Sequence, residues 1–186
     1  MNTINKIRRI QSIVSIVIFI IVSVFCWYVT GLNIFDIQLS YWGVELKSSY
    51  YWNGTIMVLA TSLFFNVDYY VKNHIRMIDK SILRIGFASV FLALFLTGLI
   101  NMHYYIHNLT AVYYFFVLPL VIYMMAYLNR KTIQYKEWLI HIVFSTCMIV
   151  LPLLSIQVFK GMAISELTHS FIVMLWSLWI LKKDIE

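Results

Sequence analysis

Six apolar runs of membrane-spanning length fill this chain, and twelve of its fourteen Lys and Arg residues fall in alternate connections. No soluble fold is compatible with that arrangement. A span needs about 20 mainly apolar residues, and the runs at 10–30, 52–71, 83–100, 109–128, 138–156 and 166–181 supply them. Backbone groups in hydrocarbon have no water to pair with, so such runs fold as helices. The predicted fold is all-α: a polytopic transmembrane bundle of six spans, one domain over residues 1–186. The composition agrees, with 62% hydrophobic and only 12% charged residues, against roughly 25% charged in soluble domains.

The basic residues set the sidedness. Lys6, Arg8 and Arg9 precede the first span, and Lys72, Arg76, Lys80 and Arg84 flank the second connection. Arg130, Lys131 and Lys136 lie in the fourth, and Lys182 and Lys183 follow the last span. The remaining connections hold only Lys47 and Lys160. The positive-inside rule then predicts that both termini are cytoplasmic. These short tracts at span ends account for the net charge of +6, so nucleic acid is not an expected partner. The first run is too long for the 7–15-residue core of a signal peptide and is read as a retained span. The location expected is a bacterial inner membrane. Cys26 and Cys147 both fall inside apolar runs and are read as inert buried thiols.

Within the spans, Ser89, Ala93, Thr97 and Asn101 recur at four-residue intervals. Small residues at that spacing let helices approach closely, and the stripe is read as a packing seam. Asp68 has Lys72 four residues on and is expected to pair with it. His74 and His141 look isolated.

Polar chemistry gathers on the predicted outer face. His103 and His107 are four apart in the third connection, with Asn108 beside them. On a helix that spacing puts both rings on one face. Glu166 and His169, three apart, open the sixth span, and Asn53 opens the second. Three histidines and a carboxylate suit a divalent metal such as zinc, and imidazole equally serves as acid or base. The plain alternative is interfacial hydrogen bonding, with Glu166 stabilising its own helix N-terminus. The candidate ligand-binding set is therefore His103, His107, Asn108, Glu166, His169 and Asn53, with His103, His107, His169 and Glu166 as candidate metal ligands. No nucleophile elbow, phosphate-binding glycine loop or His-Glu-x-x-His occurs.

Two stretches carry a family resemblance. Leu39-Ser40-Tyr41-Trp42-Gly43, followed by Tyr50-Tyr51-Trp52-Asn53, resembles the first loop of a bacterial six-span family, domain of unknown function 998, itself distantly similar to the DRAM and Sfk membrane proteins. His107-Asn108-Leu109-Thr110-Ala111-Val112-Tyr113-Tyr114-Phe115-Phe116 is similar to that group's histidine-opened fourth span. The resemblance implies a six-span layout and a role in membrane-lipid handling, and it marks Ser40, Gly43, Asn53, His107 and Ala111 as special positions.

Three functions remain open on the sequence. The first is a membrane protein that binds lipid or a membrane partner, itself included, through the polar outer cluster. The second is a metal-dependent membrane enzyme of the lipid-headgroup hydrolase type, with Glu166 as ligand or general base. The third is an oligomeric pore or small-solute carrier.

Overall fold

The computed structural model describes residues 3–75, 80–100 and 102–183. Six helices account for most of them: α1 Thr3–Thr30, α2 Ser49–His74, α3 Ser81–Leu99, α4 Tyr105–Asn129, α5 Tyr135–Val158 and α6 Ala163–Lys183. A short 3-10 segment, Leu39–Gly43, lies in the first connection. Each of the six helices is long and apolar enough to cross a membrane. Most extend a few residues beyond the apolar runs, because a helix goes on pairing its own backbone through the interface. The third is the exception; its expected span ran to 100, one residue past Leu99.

Consecutive helices pack against each other, and α6 returns to α1 and α2 to close the bundle. Spans α2 and α6 are the most buried, α1 and α5 the least. The shared core includes Leu63, Val67, Phe87, Val90, Leu118, Ile122, Trp176 and Ile180. The outer surface is apolar as well: Ile13, Val17, Ile21, Leu120 and Val150 are all exposed. Contiguous apolar surface on that scale is unstable in water and natural in lipid. Core and exterior together are the build of a multi-pass integral membrane protein.

The small-residue stripe of α3 does form a seam, against α4. Ser89 Oγ lies 3.0 Å from Tyr113 Oη, and Thr97 Oγ1 donates to Thr110 Oγ1 at 3.0 Å. Asn101, the last member of the stripe, lies outside the described residues. On another face of α3, Gly98 meets α2 so closely that a Cβ would sit 2.9 Å from the Asn53 carbonyl oxygen. Two prolines lie inside helices, Pro119 in α4 and Pro152 in α5. Ser145 Oγ donates to the Pro119 carbonyl at 2.7 Å, joining α5 to α4.

Candidate functional site

The polar residues of one end of the bundle are organised by the first connection, which folds over that end as a roof. Gly31, at φ +62°, ends α1 and gives its N–H to the Trp27 carbonyl. This left-handed helix stop suits glycine, which has no Cβ to clash. The chain then runs beside the start of α6. Gly161 N donates to Phe35 O at 2.6 Å and Ala163 N to Ile37 O at 2.8 Å. The approach is so tight that a Cβ on Gly161 would collide with the backbone of Asp36 and Ile37. Two residues past Ile37, Glu166 Oε2 accepts a 2.6 Å hydrogen bond from Leu39 N, the first amide of the 3-10 segment. Glu166 thus holds the start of the roof while standing in the first turn of its own helix, where a negative charge is favourable.

Gly43 ends the 3-10 segment and meets Asn53. Asn53 Nδ2 donates to the Gly43 carbonyl at 3.0 Å, and a Cβ on Gly43 would be driven into the Asn53 side chain. Trp42, almost fully buried, stands edge-on to Trp52 with ring centroids 5.0 Å apart. Ser48 Oγ closes the loop by donating to the Trp42 carbonyl at 2.7 Å.

Beneath the roof lies a chamber of about 60 Å³ between α2, α3, α4 and α6, room for about four waters. Its polar lining is Ser40, Asn53, Thr97, His107, Glu166 and Ser170, and Tyr114 closes one side. His107 is 6% exposed. Its Nδ1 lies 2.8 Å from the Ile100 carbonyl oxygen. A carbonyl can only accept, so the hydrogen of the neutral ring sits on Nδ1 and Nε2 is an open lone pair. Next to the chamber, Phe19 also lines an apolar groove of about 520 Å³ between α1 and α6, floored by Leu167, Phe171 and Met174.

His169 is fully buried and takes a different post. Pro152 has no N–H, which leaves the Met148 carbonyl without its helical donor. His169 Nδ1 lies 3.0 Å from that oxygen and supplies the missing hydrogen. Its Nε2 is buried without a hydrogen-bond partner. Glu166 and His169 share a second cavity of about 110 Å³ between α4, α5 and α6, so Glu166 stands on the wall between two cavities.

The structure therefore brings Asn53, His107 and Glu166 together around one chamber. It sets His169 beside the adjoining cavity and leaves His103 and Asn108 exposed outside. The helical pairing expected of His103 and His107 does not form, because α4 begins at Tyr105 and His103 precedes it. Among the described residues no group of three or more His, Cys, Asp or Glu side chains is gathered closely enough to hold a metal ion. His103, His107, His169 and Glu166 do not make a ligand set. His107, His169 and Glu166 are each tied to the backbone of a different element.

Three further polar networks sit toward the opposite end. Asp68 does not pair with Lys72. Its carboxylate takes two hydrogen bonds from Arg84 of α3, at 2.6 and 3.2 Å, the two-pronged geometry that a guanidinium fork favours. Nor are the inner histidines isolated. Trp176 Nε1 donates to His141 Nδ1 at 3.1 Å, His141 Nε2 lies 2.9 Å from Tyr70 Oη, and Tyr70 donates to Glu137 at 2.6 Å. His74 stacks on Tyr70 at 5.3 Å. Deeper in, Arg8 Nη1 donates to Asn66 Oδ1 at 2.8 Å, and Asn66 Nδ2 donates to Ser177 Oγ at 2.7 Å. Arg8 also lies over the Tyr69 ring, 3.9 Å from its centroid.

Thr97, Tyr114 and Ser170 escaped the sequence reading of the site. Two spacings signalled a face shared with a site residue: Glu166 with Ser170, four apart, and His107 with Tyr114, seven apart. Fold and site together define a multi-pass helical membrane protein with a roofed chamber at one end, mainly apolar and set with a few polar side chains. In comparison with known proteins, the chain matches no family model, no curated protein and no solved structure.

Proposed function

We propose that this protein binds a membrane amphiphile, with the polar end of the ligand in the roofed chamber and its hydrocarbon along the neighbouring groove. The observation that carries this reading is the adjacency of the two spaces. One small chamber, mainly apolar but carrying Ser40, Asn53, Thr97, His107, Glu166 and Ser170, and one larger apolar groove share Phe19 as a common wall. Mostly apolar pockets with a few convergent polar groups are the usual form of small-molecule sites. Ser40, Asn53, His107 and Ala111 all line the chamber, which supports membership of the six-span family that these residues resemble. The basic residues around the opposite end support cytoplasmic termini in a bacterial inner membrane, with the chamber in the outer leaflet.

The test is lipid retention. Protein purified in mild detergent is extracted and its lipids are quantified by mass spectrometry. We expect near-stoichiometric, selective retention, reduced several-fold in His107→Ala and in Phe19→Trp, which fills the shared wall. Retention that matches the bulk membrane composition in all three proteins would sink the proposal.

A further inference from the structure

We propose that the chamber selects amphiphiles whose polar end carries a primary ammonium group, with Glu166 as its counter-ion. This rests on the reading that an amphiphile occupies the chamber. Among the described residues, no Lys or Arg lines the chamber. The two cations of the connections at this end, Lys47 and Lys160, are exposed outside it. Glu166 receives a single hydrogen bond, from Leu39 N, whereas a carboxylate has about four lone-pair sites. A charge left unpaired in low dielectric is expensive, and a buried charge is normally paired. A positively charged ligand completes that pair.

A second wall group asks for a donor too. His107 gives its Nδ1 hydrogen to Ile100 and offers Nε2 as an acceptor. Asn53 is turned to the roof: its NH2 donates to the Gly43 carbonyl and its amide oxygen lies against Gly43. Glu166 and His107 are thus the acceptors of the chamber wall, and a primary ammonium has N–H donors for both. A phosphate or carboxylate placed here would meet Glu166 with no compensating cation. A quaternary ammonium brings charge but no N–H to donate. An ethanolamine-type headgroup satisfies both conditions, with its phosphate left outside the chamber.

The experiment uses the full chain reconstituted in vesicles of equal parts phosphatidylethanolamine, phosphatidylcholine and phosphatidylglycerol. The protein is re-extracted and its retained lipid is quantified. We expect phosphatidylethanolamine enriched at least fivefold over the other two. The mono- and dimethylated ethanolamine lipids should be retained progressively less as N–H groups are lost. Glu166→Gln keeps an oxygen for Leu39 N and should hold lipid at the bulk ratio with the thermal midpoint unchanged. The methylation series needs no variant, so the proposal stays open to refutation if Glu166→Gln does not fold. Lipid retained without amine preference, or a preference that survives intact in Glu166→Gln, overturns this inference and leaves amphiphile binding standing. No retained lipid at all overturns both. Free ethanolamine at matching concentration should not displace the lipid; displacement would reassign the site to a soluble amine and overturn the lipid assignment.

Discussion

His169 of α6 repairs a defect that Pro152 creates in the neighbouring helix α5. Its Nδ1 hydrogen goes to the Met148 carbonyl, the acceptor that the proline leaves vacant on α5. The ring is held edge-on between Tyr114 and Phe115, at centroid distances of 5.3 and 4.6 Å. Sequence places the two partners 17 residues apart on different spans, yet they act as one unit.

That unit can be tested by a double-mutant cycle. His169→Ala orphans the Met148 carbonyl and opens a void, and each effect costs about 1–3 kcal/mol. In a Pro152→Ala background the helix regains its own donor, so the same substitution should cost about 1 kcal/mol less. Unfolding midpoints of the four proteins in detergent provide the check. Strict additivity would show that the carbonyl was satisfied in another way.

Gly43→Ala should loosen the roof, because the added methyl is driven into the Asn53 amide. Overpacking of this sort costs about 1–3 kcal/mol. Asn53→Ala removes the obstacle together with one hydrogen bond, so the methyl should be tolerated far better on that background. Thermal stability of the single and double variants separates steric conflict from loss of the bond.

The Tyr70 network fixes a tautomer. An indole N–H only donates, so His141 Nδ1 must be the bare nitrogen and Nε2 must carry the hydrogen toward Tyr70. Nitrogen NMR of labelled protein should report a neutral ring protonated at Nε2. Tyr70→Phe removes the bridge to Glu137 and should cost about 1–3 kcal/mol; an Nδ1-protonated ring would contradict the arrangement.

Buried and exposed polar contacts should differ sharply. Asn66 is fully buried and joins Arg8 to Ser177, and breaking a buried charged partnership costs about 3–5 kcal/mol. Asn66→Ala should therefore be severely destabilising. Asp68→Asn disrupts a pair whose Arg84 side chain is 48% exposed, and its midpoint should hardly move. Comparable shifts in the two variants would mean that the exposed pair matters more than its setting implies.

The six spans were legible because hydrocarbon thickness dictates their length and because loops cannot hide in lipid. The gathering of Asn53, His107 and Glu166 was legible only as a shared end of the bundle. Which of the six candidates turn inward was not, because these helices are apolar all round. Ile13 faces out and Ile16 faces in with nothing in their chemistry to distinguish them. Helix rotation is set by contacts between distant spans, such as Gly98 against Asn53. For the same reason the local guess for Asp68 failed. Lys72 was nearer along the chain, but Arg84 offered a two-pronged fork across the helix pair. His141 was misjudged because its partners come from α2 and α6, which no local spacing can reveal.

The backbone pairing of residues 35 and 37 with 161 and 163 has a last consequence. It stitches the roof to the start of α6 by two main-chain hydrogen bonds, with the Glu166–Leu39 contact beside them. An amphiphile bound as proposed would enter sideways, between helices, from the bilayer. The quantity that governs occupancy would then be its mole fraction among lipids in that leaflet, not its molarity in water. Titrations against this protein acquire meaning on a two-dimensional scale.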